Sequence, residues 1–171
     1  MDAISPRTSK PISWSTAIVL VLGFWLSGSL IFDFLIVPGM LTTGMMNESG
    51  FASASYVIFG TFNHVELLCG ATVLAGCLYY RFANCFDQRV TYKSVLIATG
   101  LLLISLAYTY VFTPQMSSMG MSLDLFSNVP EATSANMMLM HLVYWSLEIV
   151  KLVFATVLLK TFFRSYCSLN T

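Results

Sequence analysis

Four long apolar stretches, at about 12–37, 54–80, 94–112 and 136–163, constrain this chain more than any other feature. Each is long enough to cross a bilayer, since a spanning helix needs about 20 residues. The composition agrees: 57% hydrophobic and 9% charged residues, with a mean hydropathy of +0.77, lie far from the profile of a soluble domain. The expected fold is all-α, an integral membrane four-helix up-down bundle forming one domain over residues 1–171, with short connections. The four helices use almost the whole chain and leave no room for a soluble domain. The first stretch runs past the usual apolar length of a signal peptide and has no A-x-A cleavage site, so it is expected to be a retained helix.

Orientation follows from the basic residues. Arg7 and Lys10 precede the first helix, Arg81, Arg89 and Lys93 lie between the second and third, and Lys160 and Arg164 close the fourth. The other two connections hold no Lys or Arg, only Glu48 in one and Asp124 and Glu131 in the other. By the positive-inside rule both termini are cytoplasmic. Lys151 is the one basic residue left over, and it falls within a helix.

Polar residues inside membrane helices mark functional or register-fixing positions. In the fourth helix His141, Tyr144, Glu148 and Lys151 follow one another at steps of three, four and three, which places all four on one face. Glu148 and Lys151 can pair at i,i+3. In the second helix Asn63 and Glu66 share a face, whereas His64 points roughly 160° away from Glu66 at about 100° per residue. Counted from the outer helix ends, Glu66 and Glu148 both lie roughly 18 Å deep. Those carboxylates and Lys151 are expected to form one midplane cluster, with Asn63 and Tyr144 beside it. Asp33, about four residues from the outer end of the first helix at 1.5 Å per residue, comes level with His141 as a second, shallower pair.

Small residues suit close helix contact: Gly23, Ser27 and Gly28 in the first helix, and Gly70, Ala71, Ala75 and Gly76 in the second. Of the four cysteines, Cys69 and Cys77 fall in the second helix, and Cys85 and Cys167 on the cytoplasmic side. None lies in the outer connections and no C-x-x-C spacing occurs, so dithiol chemistry has little support.

The methionines are segregated. Apart from Met1, they fall at Met40 to Met46 and at Met116 to Met140, on the outer side by the topology above. Met116, Met119 and Met121 form M-x-x-M-x-M after the third helix, and Met137, Met138 and Met140 lead into His141. Thioethers with an imidazole and no thiolate suit copper(I); methionine is also a pliable apolar side chain for packing or partner contact.

The stretches LGFWLSGSLIFDFLIVPGML, AYTYVFTPQMSSMGMSLDLF and MHLVYWSLEIVKL resemble a family of small four-span proteins related to transmembrane protein 205, with cyanobacterial members. The likeness covers nearly the full length, including a first helix ending at Pro38 and a Thr113–Pro114 turn. It implies a multi-pass protein without an assigned activity, in a plasma or thylakoid membrane if cyanobacterial, and it transfers no catalytic residues.

Three function classes stay open. In the first, an outer Met and His surface and the Glu66, Glu148 and Lys151 cluster handle a small ligand or cation, a soft metal included. In the second, the chain is an accessory or assembly protein docking larger membrane complexes. In the third, it binds a single b-type haem or quinone. His64 and His141 come from parallel helices and can approach one iron from either side, but their depths differ by roughly 7 Å. Two histidines in all exclude a dihaem cytochrome. No G-x-S-x-G elbow, phosphate loop, H-E-x-x-H or E-x-x-H pair occurs, so no enzyme class is indicated. The expected partners are the lipid bilayer and a homo-oligomer or larger membrane complex; nucleic acid is not among them, since the basic residues form no dense patch.

Overall fold

The structure, a computed structural model, describes residues 14–45, 50–83, 88–125 and 131–169. Arg7, Lys10, Met46, Glu48 and Cys85 lie outside the described residues. Helix is the only regular structure among those described. The first rod, α1, is Trp14–Ile31 continued through a π turn, Phe32–Ile36, into Val37–Thr42. Next come α2, Phe51–Phe82, and α3, which is Gln88–Ala107 continued through a π turn, Tyr108–Phe112, into Thr113–Leu125. The last is α4, Glu131–Leu169. Four segments are long and apolar enough to cross a membrane: Ser15–Met40, Phe51–Phe82, Tyr92–Met121 and Asn136–Arg164.

Neither proline ends its helix, contrary to the expectation for Pro38 and Pro114. A proline has no N–H and its ring crowds the carbonyl four residues earlier. Both rods absorb this by widening one turn ahead of it: the Val37 N–H bonds Phe32 O and the Thr113 N–H bonds Tyr108 O, each an i to i+5 bond. Such a turn takes in one extra residue and lets the helix run on. The segment with Met116, Met119 and Met121 is therefore helix, not loop.

Contacts between neighbours set the packing. Along α1 and α2, Ile18 lies against Gly76, Trp25 against Gly70, and Phe32 against Phe62 and Phe59. Along α2 and α3, Ala52 lies against Gly120, Asn63 bonds Thr113, and Gly70 meets Leu102. Along α3 and α4, Gly100 meets Phe154 and Tyr108 meets Tyr144. In each pairing the positions rise on one helix as they fall on the other. Outward faces are apolar on all four helices, with Phe24, Phe34, Leu68, Leu103, Leu142 and Ile149 exposed. That is the surface lipid requires, and a glycine stripe on α2 allows the close approach beneath it.

The two hairpins repeat each other. Ser29, Phe32, Phe34 and Pro38 of α1 recur at the same spacing as Ser105, Tyr108, Tyr110 and Pro114 of α3. On the following helices, Phe62 four residues before Glu66 matches Tyr144 four residues before Glu148. The geometry follows the pattern: Phe32 stacks on Phe62 with centroids 4.2 Å apart, and Tyr108 on Tyr144 at 4.4 Å.

Candidate functional site

The first residue of each π turn carries the stacking aromatic, and the second points into the bundle: Asp33 in α1 and Thr109 in α3, both buried. The repeat is broken where the charges are. Asp33 has Thr109 as its counterpart, and Lys151, three residues after Glu148, has Cys69, three after Glu66. Two similar hairpins thus build one asymmetric centre.

That centre lies among α1, α2 and α4, with Tyr108 of α3 against it. Glu66, Glu148 and Lys151 are 1%, 2% and 2% exposed. Glu66 Oε1 accepts from Lys151 Nζ at 2.5 Å and from Trp25 Nε1 and Ser29 Oγ at 3.0 Å each. Lys151 Nζ also lies 2.7 Å from Glu148 Oε1 and 5.3 Å from the centre of the Tyr108 ring. Asp33 is buried in the same neighbourhood as Glu148, Lys151 and Glu66. Tyr108 donates to Tyr144 O at 3.1 Å.

The centre is short of donors. Glu66 Oε2, Asp33 Oδ2 and Glu148 Oε2 are buried without a hydrogen-bond donor, and Glu148 Oε1 has the Lys151 ammonium alone. Three carboxyl groups face one ammonium, an imbalance that low-dielectric surroundings make costly unless protons or further cations supply the difference. Asn63, one helical turn from Glu66, donates to Thr113 Oγ1 at 2.7 Å while its Oδ1 is buried and unpaired.

Asp33 departs from its expected place. It lies near Glu148, not level with His141, because the register between helices decides the level: Ser29 and Lys151 both bond Glu66 Oε1, which sets the next turn of α1, with Asp33, opposite the turn of α4 that holds Glu148. His141 is exposed, with Nδ1 2.9 Å from Met137 O of its own helix. His64 is exposed too, with Nδ1 2.6 Å from Gly60 O and its ring edge-on to Tyr110. Tyr144 is half-buried in its stack with Tyr108. Met116, Met119, Met137 and Met140 are half-buried and Met121 is exposed. Among the described residues no group of three or more His, Cys, Asp or Glu side chains is arranged to hold a metal ion.

Sequence reasoning misses Trp25, Ser29 and Tyr108. The signal for the first two is the four-residue spacing of Trp25, Ser29 and Asp33 along one face of α1. For Tyr108 it is the repeated serine, aromatic and proline pattern. Comparison with known proteins gives no match to a family model, a curated protein or a solved structure.

Proposed function

We propose that this multi-pass membrane protein binds and releases a proton at the buried Asp33, Glu66, Glu148 and Lys151 centre, as a proton relay or proton-coupled carrier and not as an enzyme. The excess of buried carboxyls carries this reading: one ammonium, 2.5 Å from Glu66 and 2.7 Å from Glu148, serves a centre that also holds buried Asp33. Buried carboxylates in excess of the cations beside them repel one another, and a proton on one of them removes that repulsion. A proton suits the centre better than a metal cation, because Lys151 Nζ already takes the place between Glu66 and Glu148 where a cation would sit. Copper(I) at the methionines rests on residue type alone, and the exposed histidines give haem no shared pocket.

The same proposal includes the up-down topology with cytoplasmic termini, which the helix pairings and the basic residues support. It also includes kinship with the four-span proteins related to transmembrane protein 205. A homo-oligomer in the bilayer is part of it, since four helices enclose a path only narrowly.

The test is proton flux. Proteoliposomes containing a pH-sensitive dye should equilibrate faster after a pH step with the wild-type protein than with Glu148→Gln, Asp33→Asn or no protein. Equal rates in all four would overturn the reading.

A further inference from the structure

The two halves of the bundle are filled differently on either side of the charged centre. On the side nearer Ala83 an apolar layer separates the centre from the buried Ser94 and Ser15, the Ser15 Oγ without a partner: Ile18, Leu22, Val73, Cys77, Leu101 and Leu158 are each at most 1% exposed and pack in one cluster. It has no slack at Gly76, where an added Cβ would come within 2.5 Å of Ile18. Apolar packing of this density leaves no polar partners for water, which enters a buried site only where 2–4 polar groups can hold it, by the usual count of about three bonds per buried water.

Nearer Gly50 the interior is polar. Among the described residues only Ala52 and Tyr108 are buried hydrophobic side chains there, whereas Asn63, Thr109, Thr113 and Ser117 are buried and polar. They lie on the facing sides of α2 and α3. The Ala52–Gly120 and Asn63–Thr113 contacts fix the register, which brings Ser55 level with Ser117 between them. Two oxygens on this seam, Asn63 Oδ1 and Ser55 Oγ, are buried without a partner. The neighbouring seams are shut by aromatic rings: Phe32 on Phe62 between α1 and α2, and Tyr108 with Phe112 and Tyr144 between α3 and α4.

The geometry points to a site with one-sided access. Water and the proton it carries reach the Glu66 and Glu148 carboxyls from the Gly50 end, along the seam of Ser117, Ser55, Thr113 and Asn63, and the apolar core blocks passage towards the Ala83 end. This rests on the proton-binding reading and adds the side from which the proton arrives. A proton step along the seam moves H+ from a water to a carboxylate and leaves hydroxide to be neutralised at the open end, so charge and atoms balance. Passage to the far side then requires the apolar core to admit a proton through an opening too narrow for a larger solute.

The experiment is alkylation by a membrane-impermeant maleimide, with the modified residue located by mass spectrometry, in vesicles of each orientation. Thr113→Cys and Asn63→Cys should be labelled when the reagent is on the side of the Gly50 end and not from the other side. The native Cys77 thiol, in the apolar core, should be labelled from neither. Labelling of Cys77 from the Ala83 side would overturn the proposal, as would silence of both seam variants in protein that elutes and melts as wild type does. If one of the two variants does not fold, the other and Cys77 decide the matter. Seam labelling without proton flux would leave the access route standing and remove the transport reading; flux with Cys77 labelled would do the reverse.

Discussion

Lys151 Nζ lies 2.5 Å from Glu66 Oε1, joining residues 85 positions apart and tying α4 to α2. It is also the sole cation in contact with Glu148 among the described residues. Removing it strands buried carboxylates, and loss of one partner of a buried pair costs about 3–5 kcal/mol. Lys151→Met should therefore lower the thermal unfolding midpoint in detergent sharply, and Glu66→Gln in the same chain should restore part of the loss. A Lys151→Met protein that melts with the wild type would show the pair to be incidental.

Trp25 and Ser29 hold the same Glu66 oxygen from α1. A hydrogen bond to a charged group contributes about 1.5–3 kcal/mol, so Trp25→Phe and Ser29→Ala should each destabilise. In a Glu66→Gln background both effects should shrink, because the acceptor is no longer ionised. Unfolding measurements over the four combinations give the coupling; strict additivity would place the donors elsewhere than on Glu66.

Gly76 and Gly23 separate packing from propensity. An alanine at 76 meets Ile18 at 2.5 Å, whereas nothing lies within 4 Å of a Cβ at 23. Overpacking of a tight core costs about 1–3 kcal/mol, so Gly76→Ala should destabilise and Ile18→Val should relieve it. Gly23→Ala should be neutral or stabilising, since alanine is the better helix former. Equal behaviour of the two alanine variants would contradict the close α1–α2 contact.

Tyr108 and Phe32 are equivalent by the internal repeat and stack alike. Tyr108→Phe keeps the stack and the ring beneath Lys151 and loses only the bond to Tyr144 O, worth about 1 kcal/mol. Tyr108→Leu also forfeits the aromatic pair, a further ~0.5–1.5 kcal/mol. The order wild type, Phe, Leu is expected in thermal unfolding; Leu equal to Phe would mean that the stack contributes nothing.

Much of this centre is legible in the sequence. Helical rise and periodicity are fixed, so Glu66 and Glu148 can be set at one depth, and Lys151 on the face of Glu148, by counting alone. Asp33 reads as level with His141 because depth is counted from each helix's own end, whereas Ser29 and Lys151 on Glu66 Oε1 set α1 against α4. Trp25 and Ser29 need the register of α1 against α2, which small residues such as Gly70 and Gly76 set through contact and not through their own chemistry. The methionines read as loop ligands because nothing in local propensity distinguishes a proline that stops a helix from one that follows a π turn, and α3, like α1, outruns its proline.

The most direct measurement is infrared difference spectroscopy across a pH titration of the purified protein in lipid. A proton held by the buried carboxyls of the centre gives a carboxylic acid C=O band that titrates, and that is lost or shifted in both Asp33→Asn and Glu148→Gln, while Glu131→Gln at the start of α4 leaves it unchanged. Absence of any protonated carboxyl band across the titration, or a band indifferent to both substitutions, would contradict proton binding at this centre.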